Sequence, residues 1–160
     1  MKVINVINKF KEYISTEELN KNYDLCYIYH LVEHELAYDY FPIYCEENFK
    51  ESEVEFKNLK FPIIRLVQFD NPLIILEDTC IHTCDGSSIG RVKYAYAPMV
   101  KNMEDDTYYS EDYLLILVYG MLAEYYIQTA DYETAYNWTT IYKNSIKDMY
   151  SKLGGKKNVS

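Results

Sequence analysis

The sequence predicts a mainly α-helical domain with a small inserted antiparallel β-sheet (α+β), a helical bundle that ends in a C-terminal helical hairpin. Three observations predict it. Four segments, about residues 3–14, 24–41, 111–130 and 132–153, repeat apolar residues at spacings of three and four, the period of one helix face. The stretch between the second and third, about residues 53–97, alternates apolar and polar residues, the period of a half-buried strand. Finally, 160 residues with 49% hydrophobic and 26% charged side chains suffice to bury one core without cross-links. Residues 1–153 are therefore expected to form a single domain, and 154–160 a flexible C-terminal tail.

The elements follow in order. Val3, Ile7, Phe10 and Ile14 give a narrow stripe, which predicts a short helix laid across a larger body. Asp24 is placed to cap the second helix, where Leu25, Ile28, Tyr29, Val32, Leu36 and Tyr40 share a face. Pro42 ends that helix near Phe41, because the residue before proline is pushed out of the helical region. In the middle, Val54 and Phe56 alternate with Glu53, Glu55 and Lys57, and Phe61 to Phe69 is apolar except at Arg65 and Gln68. Asn71-Pro72 makes a turn, Leu73 to Leu76 and Thr79 to Thr83 give further strands, and Val92, Tyr94 and Tyr96 mark a last one. Four or five short strands imply one small antiparallel sheet between helices.

Ser110, Glu111 and Asp112 start the third helix, since carboxylates favour the positive helix end. From Tyr113 to Ala130 its only charge is Glu124, so it must be buried on several sides. The hairpin core is expected to comprise Leu114, Val118, Met121 and Tyr125 with Ala135, Trp138, Tyr142, Ile146 and Met149 of a fourth helix, capped by Asp131. Gly154 sits where a helix end takes a left-handed residue.

Charge and composition narrow the function. Sixteen basic residues face 25 acidic ones, a net charge of -9, so the chain repels nucleic acid unless its cations cluster. Only Lys152, Lys156 and Lys157 hint at such a cluster. The opening MKVINVINKFKEYIS has no continuous apolar core and does not read as a signal peptide; the longest uncharged apolar run, Tyr113 to Ala123, is too short to span a bilayer. With no export signal, the four cysteines (Cys26, Cys45, Cys80 and Cys84) are expected to stay reduced in a soluble protein made in the cytoplasm. The 19 tyrosines suit surfaces half-buried against a partner, although AT-rich codon usage would enrich them equally.

Two patterns imitate metal chemistry. His30-Leu31-Val32-Glu33-His34 matches the inverted zinc-peptidase motif H-x-x-E-H, but zinc needs a third protein ligand and an open position, and the wheel turns both histidines away from the Leu25/Val32/Leu36 stripe. Cys80-Ile81-His82-Thr83-Cys84 in a strand would hold its outer thiols ~13 Å apart, whereas zinc needs each within ~2.3 Å of itself; buried structural thiols are the simpler reading. The acidic loop residues Glu104, Asp105 and Asp106 are assigned no metal. No G-x-S-x-G, phosphate-binding loop or dinucleotide fingerprint occurs, and three histidines leave few candidate bases. No catalytic, metal or cofactor residue is assigned, and no enzyme is expected.

Four stretches carry a resemblance to a known family: HELAYDYFPIYCEENF, FPIIRLVQFDN, VKYAYAPMVKNMEDD and SEDYLLILVYGMLAEYYIQTADYETAYNWTTIYKNSIKDMY. Together, over about residues 25–153, they resemble the head-to-tail adaptor proteins of tailed phages. The last stretch is the most specific, with an acidic helix start, Gly120, Ala123 and Glu124 in mid-helix, a short turn, then Ala135 and Trp138 ahead of a basic amphipathic helix. The helices here are tyrosine-rich where those of the family are rich in alanine and leucine. The resemblance implies a structural virion protein, a protomer of a ring, commonly twelve-fold, that connects the capsid portal to the tail and extends the DNA channel. Its partners would be itself, the portal protein and downstream tail or ring proteins, with DNA passing through the lumen without sequence-specific binding and no membrane involved. In similar proteins the chain ends dock onto the neighbouring ring, a role that falls here on Lys152, Gly154, Gly155, Lys156 and Lys157. Two other readings stay open: a monomeric adaptor that binds proteins through its helical hairpin, and a zinc hydrolase built on His30, Glu33 and His34.

Overall fold

The structure, a computed structural model, describes residues 1–19, 22–99 and 101–158, with the backbone alone for 155–158. Two compact units emerge: Met1–Glu33 with Met99–Ser160, and His34–Pro98. They are taken in turn.

The first unit is helical. Helix α1 (Val3–Lys11) buries Val3, Val6, Ile7 and Phe10. It stops short of the expected residue 14, although Ile14 is still buried. Helix α2 (Leu25–Glu35) is capped by Asp24, whose Oδ1 accepts the Tyr27 N–H at 3.2 Å. The third helix opens with a 3-10 turn over Glu111–Tyr113; Ser110 precedes it but makes no side-chain capping bond. It then runs as α3 (Leu114–Gln128), packed on α1 and on α4 (Tyr132–Asn158). Because α3 is apolar all round, it is the central element, with Leu117, Val118, Met121 and Leu122 fully buried.

Between α3 and α4 the chain reverses at Ala130, held left-handed at φ 61°. The Ala130 N–H donates to the Ile127 carbonyl and the Asp131 N–H to the Tyr126 carbonyl, a Schellman closure that satisfies carbonyls the helix end leaves open. Asp131 then caps α4, its Oδ1 accepting the Thr134 N–H at 3.2 Å. A left-handed alanine suffers a Cβ clash that glycine lacks. Gly154, by contrast, does not end α4: the helix continues through it to Asn158, so the chain is helical where a flexible tail beginning at 154 was expected. Nothing lies within 4 Å of a Cβ built on Gly154. We therefore expect Ala130→Gly to stabilise the fold by about 0.5–1 kcal/mol and Gly154→Ala by about 1 kcal/mol, each read as a shift in thermal midpoint.

The second unit corrects the fold class. Helix α2 passes into a π-helical turn, Leu36–Tyr40, closed by the Phe41 N–H donating to the Leu36 carbonyl at 2.6 Å; Phe41 itself has left the helical region (φ -129°, ψ 78°), as its proline neighbour demands. Six strands follow among the described residues: β1 (Tyr44–Phe49), β2 (Glu53–Glu55), β3 (Ile63–Phe69), β4 (Ile74–Leu76), β5 (Cys80–Thr83) and β6 (Gly90–Tyr96). They form two antiparallel three-stranded sheets, ordered β1-β6-β3 and β2-β5-β4. The protein is thus mixed α+β, not a mainly α bundle with one small sheet, and its strands begin at Tyr44 rather than near residue 53.

The physical reason lies in β1. Its half-buried positions are Cys45, Glu47 and Phe49, so an acid occupies the centre of the inward face and breaks the apolar alternation. Glu47 is satisfied there: its Oε2 accepts the Tyr94 hydroxyl at 2.6 Å and the Lys60 N–H at 3.1 Å. Burial and that carboxylate push the Tyr94 phenol well up from its ordinary range. On the central strand β6, Val92, Tyr94, Ala95 and Tyr96 are buried, and Tyr96 stacks on Phe61 at 4.2 Å. β3 follows β6 through two register irregularities.

Candidate functional site

Within the helical unit, α3 and α4 bring together most of the residues expected in the hairpin core. Val118, Met121, Tyr125, Ala135, Tyr142, Ile146 and Met149 are buried, while Leu114 and Trp138 are only half-buried. Trp138 lies in an aromatic cluster instead, stacked on Tyr119 at 5.8 Å and meeting Tyr13 edge-on at 5.7 Å. The opposite side of α4 is unusual. Tyr132 and Tyr136, one turn apart, are 68% and 73% exposed, and Ile141 and Tyr150 are also exposed. Large aromatic bodies held in water on successive turns are a surface that gains by being covered. Lys152 and Gly154 are exposed near the end of the same helix; Gly155, Lys156 and Lys157 continue it, and their side chains lie outside the described residues.

In the β-unit, the apolar surface gathers on consecutive outer strands. β3 and β4 each form one edge of their sheet, and between them they leave Val67, Phe69, Leu73, Ile75 and Leu76 exposed. Edge strands also present unpaired backbone groups, so such a segment is prone to be covered by another chain. Elsewhere in this unit a cavity of about 320 Å³ is lined by Phe49, Glu51, Glu53, Val54, Glu55 and Asn58. In β5 the Cys80 thiol is buried and Cys84, past the strand end, is exposed; both are free. His82 between them is engaged by Glu77, Nε2 to Oε1 at 2.9 Å, and that contact holds the imidazole above its ordinary range.

The H-x-x-E-H segment is arranged differently from a zinc site. Glu33 is fully buried, its Oε2 accepting the Tyr29 hydroxyl and, at 3.1 Å, the Tyr108 N–H. His30 is half-buried, and His34 stacks on Tyr38 with ring centroids 5.9 Å apart. Among the described residues no three His, Cys, Asp or Glu side chains converge. Sequence reasoning missed Glu33 as a core group, yet a signal was present: it stands four residues after Tyr29 and three before Leu36, on the very stripe those two define.

No described helix is long and apolar enough to cross a membrane. Comparison with known proteins finds no matching family model and no matching curated protein.

Proposed function

We propose that the chain is a structural protomer of the ring that joins the capsid portal to the tail in a tailed phage. The observation that carries this reading is the outer face of α4, where Tyr132 and Tyr136 stand largely in solvent on the hairpin that bears the most specific part of the family resemblance. Tyrosine is enriched at interface cores because it contributes large contact area at low entropic cost. The exposed edge segment Val67–Leu76 supports the same reading, since it is a second surface of different chemistry. A protomer with two unlike adhesive surfaces associates head to tail, and such a contact closes into a ring when its rotation divides the circle.

In this role the partners are further copies of the chain, the portal protein and downstream tail or ring proteins, and the site of action is the virion, after assembly in the host cytoplasm. The net charge of -9 suits a channel through which DNA slides without being held. The exposed Lys152 and the helix end around Gly154, Gly155, Lys156 and Lys157 are the segment placed to dock on a neighbouring ring.

Native mass spectrometry of purified particles tests the proposal. Several copies per particle in fixed ratio to the portal are expected. Tyr132→Ser combined with Tyr136→Ser should deplete the protein from particles and leave it folded, because substitutions at such exposed positions change stability by only about 0.5 kcal/mol each. Absence of the native chain from particles, or full incorporation of the double variant, sinks the reading.

A further inference from the structure

The segment 101–109 straps the start of the chain to the helical unit. The Val3 and Ile4 N–H groups donate to the Asp105 and Met103 carbonyls at 3.0 and 2.9 Å, and the Thr107 N–H donates to the Met1 carbonyl at 2.9 Å. Lys2 pairs with Asp106 at 3.1 Å. At its far end the strap is fastened to α2 through Glu33: the Tyr108 N–H donates to Glu33 Oε2 at 3.1 Å.

That fastener is chemically unusual. Glu33 is fully buried, and its second oxygen, Oε1, has no hydrogen-bond partner among the described residues. An acid so placed has Oε2 engaged twice and Oε1 buried without a partner among the described residues, which disfavours the charged form far more than the neutral one. The titratable groups around it are Tyr29 and, one turn back, His30 on its own helix, with Lys101, Tyr108 and Tyr109 on the strap. Lys101 offers fixed positive charge, and its ammonium sits over the Tyr108 ring at 4.0 Å from the centroid. The balance is set by burial, which raises the Glu33 carboxyl above the ordinary glutamate range despite the opposing pull of the Tyr29 hydroxyl, the Tyr108 N–H and Lys101.

We propose that Glu33 is a proton-gated latch: as a neutral acid it holds the 101–109 strap closed over the start of α1, and on losing its proton it releases the strap. An ionised Glu33 must gain water at Oε1, and the strap is the covering element most easily lifted. Residues 102–106 of it are exposed, and its ties to Met1, Val3 and Ile4 are bonds that water can replace. The sign follows from linkage. A carboxyl raised in the closed state favours closure at low pH, and that preference is lost as pH rises through the closed-state value. The proposal is independent of the connector reading.

Amide hydrogen exchange of the full chain, followed against pH with intrinsic rates divided out, tests it. Protection of the Tyr108, Val3, Ile4 and Thr107 amides should fall together as pH rises from the ordinary glutamate range to the Glu33 midpoint, by up to about tenfold per pH unit, the limit for one proton, and level off above it. Amides of α3, such as that of Met121, should not follow. In Glu33→Gln, which keeps an acceptor for the Tyr108 N–H but cannot ionise, protection at the strap should stay flat. The Glu33 carboxyl carbon, observed directly by NMR in the native protein, should titrate above the ordinary range, with its midpoint where the strap's protection levels off. A flat native profile, an unchanged fall in the glutamine variant, or a carboxyl midpoint apart from the pH at which the strap levels off overturns the latch. Should Glu33→Gln fail to fold, agreement or disagreement of the native carboxyl midpoint with that levelling-off point still decides.

Discussion

Tyr125→Ala is expected to destabilise the helical unit by about 3–5 kcal/mol, the range for removing a large buried aromatic. Tyr125 is 2% exposed on α3, and its ring meets Phe10 of α1 at 5.8 Å, Tyr23 at 5.6 Å and Tyr126 at 5.2 Å, all edge-on. Its hydroxyl donates to the Glu18 carbonyl at 2.7 Å. Three separate stretches of chain therefore converge on one side chain: α1, the connection before α2, and α3. Truncation opens a cavity at their junction and leaves the Glu18 carbonyl without this donor. Tyr125→Phe keeps the ring and loses only the hydrogen bond, so about 1 kcal/mol is expected. Since whole domains are stable by about 5–15 kcal/mol, the alanine variant should lose about a fifth or more of the total. Urea unfolding at unchanged slope measures it; a loss below about 1 kcal/mol for alanine would show that Tyr125 is not the junction. Trp138, only half-buried, is the weaker anchor of the two despite its size.

The helices were legible because their signals are local. A period of 3.6, the carboxylates of Asp24 and Asp131 before apolar runs, and Pro42 all act within a few residues, and the structure places α2 and α4 behind those caps. Five of the strands were legible in the same way, but β1 and the division into two sheets were not, because their determinants are distant. β2 and β4 were read from the alternation around Val54 and from Leu73 to Leu76, but three residues each cannot show that both flank β5 in a sheet of their own. β1 hides behind Glu47, whose inward carboxylate is satisfied by the Lys60 N–H and by Tyr94, 13 and 47 residues away. Glycine misled in both directions: Gly154 stays helical, while the left-handed helix end fell to Ala130, whose residue type argues against it. The candidate surface was legible only as composition. Nineteen tyrosines said that some would face partners, but which ones, Tyr132 and Tyr136 rather than Tyr125 and Tyr142, depends on how α4 is rolled against α3.

That roll is fixed at Gly120, and the second large effect belongs there. A Cβ built on Gly120 would lie 2.5 Å from Val32 Cγ1 of α2 and 3.0 Å from Tyr142 Cε2 of α4. Neither neighbour yields easily: Val32 and Tyr142 are 5% and 4% exposed, and a β-branched side chain in a helix has one strongly preferred rotamer. Alanine would gain about 1 kcal/mol in helix propensity against an overpacking penalty of about 1–3 kcal/mol, for a net loss. Gly120→Val brings two further methyl groups into the same space and should cost about 3 kcal/mol or more. The decisive measurement is a double-mutant cycle. Val32→Ala alone leaves a hole beside Gly120; Gly120→Ala alone fills space already taken; together the added methyl occupies the vacated volume. The double variant should be more stable than the sum of the single losses predicts by about 1–3 kcal/mol, the coupling of residues in contact. Additive losses would mean that α2 and α3 do not cross at this glycine, and the register that turns Tyr132 and Tyr136 outward would then need another cause.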